Sequence, residues 1–238
     1  MKPNNFIFAD LSTYDLATAQ NFYSRVFDWN FVTEDNAYFI ATHQGKEIIG
    51  LYETPKKFQE MKMPSFWMSY IQVNSVDQTV EQARALGGII EVVENNAIGK
   101  VALIRDPLGA GFTVYEGNQL NSRTSNETNS LVWNELFISD FSKIESFYKG
   151  IFNWEIKASN QPNRHFIYNQ KNEQIGAIQE VSKAVKGKYE YWGIFFGVKS
   201  IADTKQKVLS NGGTLIYEDK AFTSMSDSFG AFFHLVKV

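Results

Sequence analysis

Asn21 to Val32 reads NFYSRVFDWNFV, and Ser146 to Lys157 reads SFYKGIFNWEIK. Phe22, Tyr23, Phe27 and Trp29 recur as Phe147, Tyr148, Phe152 and Trp154, each 125 residues further on. Four large aromatics at one constant offset mark an internal repeat, and a repeat governs the reading of the whole fold. The offset holds outward from that stretch. Leu11 and Leu136, Asp15 and Asp140, Trp67 and Trp192, and Gly87-Gly88 and Gly212-Gly213 are also 125 apart. Near the end of each copy the offset falls to 121, from Asp106 to Asp227 and from Gly109 to Gly230. The chain is a tandem duplication whose second copy is four residues shorter, as loop deletions would make it.

Each copy contains the same order of elements twice. Asn5 to Leu11 alternates in the manner of a strand. Asp15 is a good N-cap, and Leu16, Ala19, Phe22 or Tyr23, and Val26 follow at helical spacing to about Asp28. Residues 31–32, 37–42 and 48–52 read as three short strands. A polar, proline-containing connection, 53–64, leads to a strand at 65–73 and a second helix. That helix opens on Ser75 and Gln78, a capping box, and carries Val76, Val80, Ala83 and Leu86 as its apolar stripe. Gly87-Gly88 supplies its left-handed stop. Strands at 89–93, 101–105 and 111–115 complete the copy, with a turn at Asp106-Pro107-Leu108-Gly109.

The second copy reads alike. It has a strand at 131–138, a helix at 140–152, strands through 154–178, a Lys-rich connection, a strand at 191–198, a helix at 201–210 and three strands to Val238. The predicted class is α+β: four βαβββ units, two in domain 1–117 and two in domain 131–238. The stretch 118–130, poor in apolar side chains, is the expected linker.

The 238 residues suit two domains of roughly 100–200 residues each. A net charge of −3, from 23 basic and 26 acidic residues, gives no electrostatic reason to expect nucleic acid or an anionic membrane as partner. The absence of Cys removes disulfides, thiolate metal sites and Cys nucleophiles. MKPNNFIFAD lacks the apolar core of a signal peptide, and no apolar run nears the ~18 residues of a membrane span. The expectation is a cytoplasmic monomer or homodimer whose partner is a small molecule.

Four βαβββ units in two pairs, with Asp15, Phe22-Tyr23, Phe27-Asp28-Trp29 and Asp106-Pro107-Leu108-Gly109, resemble the vicinal oxygen chelate superfamily. Asp140, Phe147-Tyr148, Phe152-Asn153-Trp154 and Asp227-Ser228-Phe229-Gly230 repeat the resemblance. That superfamily includes glyoxalase I, bleomycin-binding proteins, fosfomycin-resistance enzymes and extradiol dioxygenases. Trp133-Asn134-Glu135-Leu136 looks like its two-domain, glyoxalase-like branch.

The resemblance implies a half-open barrel per copy, with a divalent metal held by His or Glu side chains. It places those ligands at Phe8, Met68 and Thr113 in the first copy, and at Trp133, Gly193 and His234 in the second. Zn, Fe, Ni or Mn sites take imidazole or carboxylate, and only His234 offers either. The expectation is therefore no metal and no cofactor. A register one or two residues away restores the metal-dependent activities, with Asp10, Glu135 and His234 as ligands.

Residues two apart share a strand face. The faces so defined present Phe8, Asp10 and Ser12, then Met68, Tyr70 and Gln72, then Thr113 and Tyr115 in the first copy. The second presents Trp133, Glu135 and Phe137, then Gly193 and Phe195, then Phe232, His234 and Val236. Aromatic walls with few polar groups suit an organic ligand, with Trp133 as a stacking candidate. Asp10 and Glu135 occupy matching positions and are candidates for a ligand anchor or a general base. The competing reading is a rim carboxylate satisfied by a neighbouring Ser, Tyr or backbone N–H. His234 is a candidate acid or base, weighed against a satisfied core histidine. The repeated Phe, Tyr and Trp residues read as core, and Lys183, Lys186 and Lys188 as loop charges.

Four functions stay open, the fourth being a purely structural or regulatory subunit. The first is a metal-free binding protein for a small aromatic molecule. The second is a metal-independent lyase, isomerase or hydroxylase using Glu135 or Asp10 as base. The third is a metal enzyme in the shifted register.

Overall fold

The computed structural model describes residues 4–33 and 36–238. The head of MKPNNFIFAD, Met1 to Pro3, lies outside the described residues. The first βαβββ unit is β1 (Phe6–Thr13), α1 (Leu16–Phe27), β2 (Asn30–Thr33), β3 (Tyr38–His43) and β4 (Lys46–Glu53). A short helix α2 (Lys56–Glu60) precedes the second unit, β5 (Phe66–Gln72), α3 (Val76–Ala85), β6 (Ile89–Asn96), β7 (Gly99–Arg105) and β8 (Gly111–Glu116). The third unit is β9 (Leu131–Ile138), α4 (Glu145–Phe152), β10 (Glu155–Ala158), β11 (Arg164–Tyr168) and β12 (Gln174–Glu180). After a one-turn helix α5 (Lys183–Lys186) come β13 (Tyr191–Val198), α6 (Ile201–Ser210), β14 (Thr214–Glu218), β15 (Thr223–Ser226) and β16 (Phe232–Lys237). The fold is α+β with four βαβββ units, as the repeat predicts.

The strands form two eight-stranded mixed sheets, ordered β2-β3-β4-β1-β5-β8-β7-β6 and β10-β11-β12-β9-β13-β16-β15-β14. Each βαβββ unit contributes four neighbouring strands. Its first and last strands run parallel, as Asp10 opposite Gly50 and Glu135 opposite Ala177 show.

Two compact units share the chain. One takes in residues through Ile7, Ser69–Asn121 and Asn134–Gly193, and the other takes in Phe8–Met68, Ser122–Trp133 and Ile194–Val238. Each combines one βαβββ unit from each sequential copy. In one, Phe112 packs among Phe147, Tyr148 and Phe152, with Trp154 and Trp192 in the same core. In the other, Phe233 packs among Phe22, Tyr23 and Phe27, with Trp29 and Trp67. The repeated aromatics are core residues, each ring worth about 1.5–3 kcal/mol on full burial.

Local chemistry sets the helix ends. Asp15 accepts the Thr18 amide at 3.0 Å, and Asp28 ends α1 in the left-handed region at φ 60°. Gly87, at φ 88°, does the same after α3. The structure differs from the sequence reading in local detail. The helix expected from Asp140 opens as a 3₁₀ turn, Phe141–Lys143, before α4. Asp140 there caps the Ser142 amide, the Phe141 amide goes to Glu180, and the Phe141 ring stacks 3.8 Å from His165. These anchors hold the first turn tighter than α geometry.

Leu86 leaves its expected apolar stripe and is exposed, with Thr79 buried in its place. Both polar connections contain helices, α2 and α5, too short to show a period. Lys186 is buried rather than a loop charge, its ammonium 2.9 Å from Glu190. The 118–130 stretch is pinned along its length: Leu120 is buried, Ser122 donates to the Ile48 carbonyl, and Glu127 pairs with Lys46.

Candidate functional site

In the first βαβββ unit the site centres on Asp10. Strand alternation turns it from the helix-side core of Ala9 and Leu11, and it is 2% exposed. Tyr38 donates to Asp10 Oδ1 at 2.6 Å. Gly50 lies opposite Asp10 on β4, and Tyr52, two residues on, lies opposite both Ser12 and Tyr38. The Tyr38 and Tyr52 rings stack at 6.5 Å, and Ser12 donates to Thr54 at 3.0 Å. Burial, then the neighbouring Asp10 charge, pushes the Tyr52 phenol well above its ordinary range, so it stays protonated.

The third βαβββ unit builds the matching arrangement with different chemistry. Glu135 is 1% exposed, and Arg164 Nη2 donates to its Oε2 at 2.7 Å. Tyr38 and Arg164 hold equivalent places on β3 and β11, each two residues along from the carboxylate row. Phe137 stacks on Tyr191 at 5.3 Å. Burial, then the Glu135 charge, raises the Tyr191 phenol far above its usual value.

The remaining predicted residues fall into smaller groups. Tyr70 pairs with Thr113 and Gln72 with Tyr115 across β5 and β8. Gln72 Nε2 donates to the Gly117 carbonyl at 2.6 Å. Phe195 lies opposite His234, their rings 4.5 Å apart, with Phe222 edge-on at 5.3 Å. His234 Nδ1 is 2.7 Å from Ser224 Oγ, and burial pushes the imidazole down to about 3, which keeps it neutral. Trp133 is half-buried with the Arg123 guanidinium 5.7 Å over its ring, and burial lowers Arg123 to about 10. Phe8 and Met68 are buried, and Phe232 is half-buried.

Sequence reasoning missed Tyr38, Tyr52, Arg164 and Tyr191. A signal existed: Tyr38 and Arg164 are 126 apart, close to the repeat offset. The change of residue type hid the correspondence.

The positions that the resemblance assigns to a divalent metal carry side chains that do not fit one. Phe8, Met68 and Thr113, with Trp133, Gly193 and His234, include a single imidazole, and it faces Ser224 from between two phenylalanines. Among the described residues no group of three or more His, Asp or Glu could hold a metal ion. A separate surface cavity of about 380 Å³, bordered by Asp28, His43, Lys199, Asp203 and Lys207, contains none of the predicted site residues.

Comparison with known proteins bears on these observations. CFP32 of Mycobacterium bovis, a protein provisionally assigned as a glyoxylase, is 27% identical over 96% of this chain and 92% of its own. The anthracycline biosynthesis protein DnrV of Streptomyces peucetius is 22% identical over 87% of this chain and 81% of its own. The Mn(II)-bound glyoxalase from Novosphingobium aromaticivorans shares the fold, with a TM-score of 0.68 and 12% identity over 98% of this chain and 82% of that one. The sequence profile described as Glyoxalase/Bleomycin resistance protein/Dioxygenase superfamily matches residues 6–114. With the βαβββ repeat and the shared fold, this chain is similar to proteins of the glyoxalase/bleomycin resistance protein/dioxygenase superfamily.

Proposed function

We propose that this chain binds a small aromatic organic molecule against the aromatic and carboxylate-bearing faces of its sheets, without the superfamily's divalent metal. The donor chemistry at the metal positions carries the reading. Five of those six residues offer neither imidazole nor carboxylate, and the sixth, His234, is buried, neutral and held by Ser224. Phe8, Tyr70, Trp133, Phe137, Phe195 and Phe232 supply ring surface in place of ligands. A relative named for anthracycline biosynthesis agrees with an aromatic ligand.

The test has two arms. Metal per chain is measured on protein purified without chelator and again after Zn, Mn, Ni and Fe are supplied. A panel of aromatic compounds is then titrated with Trp fluorescence as readout. Sub-stoichiometric metal with saturable quenching supports the reading. Stoichiometric metal returns the metal-dependent activities, with Asp10, Glu135 and His234 as the ligands to examine.

A second reading, a metal-independent isomerase, lyase or hydroxylase, is favoured by one observation. Asp10 is almost fully buried and accepts the Tyr38 phenol at 2.6 Å, a buried carboxylate of the kind a general base uses. Turnover of a bound ligand that survives unchanged in Asp10→Asn/Glu135→Gln would remove it.

A further inference from the structure

Arg164 stands on a face whose register is fixed. Glu135 lies opposite Ala177, and Ala177 opposite Phe166. In the next row Phe137 lies opposite Gln179, and Gln179 opposite Arg164. Residues opposite one another in neighbouring strands share a face. One surface therefore carries Glu135, Phe137, Gln179, Arg164 and Phe166, with Ala177 the smallest side chain in the middle.

The guanidinium has three separate relations there. Nη2 donates to Glu135 at 2.7 Å, Nη1 donates to Gln161 at 3.0 Å, and the group lies 5.2 Å over the Phe166 ring. The third guanidinium nitrogen carries Nε–H, which is buried and has no acceptor among the described residues. A buried N–H without an acceptor is costly, and an incoming acceptor oxygen removes that cost. The side chain as a whole remains 17% exposed, so a ligand reaches Nε–H by displacing the side chains that cover that atom.

We propose that Arg164 anchors the carbonyl oxygen of a neutral aromatic ketone or quinone, whose ring lies against Phe137, Phe166 and Tyr191. The proposal rests on the aromatic-ligand reading above and names the polar group that ligand carries. Charge decides between a carbonyl and an anion. The Glu135 carboxylate already neutralises the guanidinium, so a second anion would meet its repulsion, whereas a carbonyl brings an acceptor without charge. The ring stack of Phe137 on Tyr191 supplies the aromatic wall. The equivalent place in the first unit holds Tyr38, whose hydroxyl is directed at Asp10. The carbonyl preference thus belongs to the third βαβββ unit.

The test uses the full chain and three probes of one size: 2-acetonaphthone, 2-ethylnaphthalene and 2-naphthoate. Affinities are measured by Trp fluorescence and calorimetry. The wild type is expected to bind the ketone at least about tenfold more tightly than the hydrocarbon, the worth of one good hydrogen bond. It is also expected to bind the ketone more tightly than the carboxylate. Arg164→Lys keeps a cation beside Glu135 but has no Nε–H. It should bring ketone and hydrocarbon within about threefold of each other while leaving the hydrocarbon's affinity unchanged. If Arg164→Lys does not fold, Glu135→Gln/Arg164→Gln, which removes both charges together, takes its place with the same expectation. A ketone preference that is absent in the wild type, or that persists in the folded variant, overturns the proposal. So does tighter binding of 2-naphthoate. Hydrocarbon binding without ketone preference sinks only this proposal, whereas failure of all three probes sinks the aromatic-ligand reading with it.

Discussion

The Tyr148 hydroxyl donates to Asp106 Oδ2 at 3.0 Å and accepts the Trp192 indole N–H at 3.0 Å. Asp106 Oδ1 accepts the Leu108 and Ala110 amides, each at 2.9 Å. The other compact unit repeats the device: Tyr23 donates to Asp227 Oδ2 at 3.0 Å, and Asp227 Oδ1 accepts the Phe229 and Ala231 amides. Each bond joins a helix tyrosine from one sequential copy to the aspartate turn of the other. Tyr148→Phe leaves a buried carboxylate oxygen and an indole N–H short of a partner, and should cost about 1–3 kcal/mol. Tyr23→Phe should cost a similar amount. Urea denaturation of both variants checks this, and a loss below about 0.5 kcal/mol in each would show the bonds to be incidental.

The duplication, the four βαβββ units, the helix caps and the aromatic core were legible because each leaves a local or periodic mark. Asp15 and Gly87 signal their roles within a few residues, and Trp29 and Trp154 repeat at a fixed offset. The exchange of partners between copies was not legible. Tyr23 and Asp227 are 204 residues apart, and nothing in either motif says whether its partner lies in its own copy or the other. The carboxylates at Asp10 and Glu135 were found from the repeat, but their partners were not. A phenol in one copy and a guanidinium in the other solve the same burial problem with unlike residues.

Asp106 should make the protein less stable as pH rises. Burial lifts its carboxyl from an ordinary 3.8 to about 6. The folded state therefore holds a proton that the unfolded state has released. The contribution to stability is fully present below about 3.8 and is lost as pH rises through about 6, by at most about 3 kcal/mol. Asp227 is raised in the same direction and for the same first cause. Asp106→Asn removes its share. Comparing wild type and Asp106→Asn at pH 4.5, 5.5 and 7 should show the variant gaining relative stability as pH rises. A constant difference would mean that Asp106 titrates normally.

His234 should act with the opposite sign. Its imidazole falls from 6.5 to about 3 through burial, so below about 6.5 the unfolded state takes up a proton that the folded state refuses. Its contribution is present above about 6.5 and is lost as pH falls toward 3, at up to about 1.4 kcal/mol per pH step. The imidazole C–H signals of His234, assigned by comparison with His234→Asn, should hold their neutral shifts from pH 8 down to 5. A midpoint near 6 would show the ring open to protonation and return His234 to consideration as a catalytic acid.

Gly50 tests the carboxylate site of the first unit. A Cβ built at Gly50 would overlap the Tyr38 hydroxyl and Asp10 Oδ1, the two atoms of the 2.6 Å hydrogen bond. Ala177, opposite Glu135, accepts a Cβ in the matching row because Arg164 reaches its carboxylate from the neighbouring row of β11. Gly50→Ala should therefore force Tyr38 off Asp10 and cost about 1–3 kcal/mol, the usual range for an overpacked site. Tyr38→Phe/Gly50→Ala removes the overlapping hydroxyl, and the second substitution should then cost less than it does alone. A double-mutant cycle by urea denaturation measures that coupling. Equal losses on both backgrounds would place the crowding elsewhere, and would mean that the phenol does not lie over Gly50 in solution.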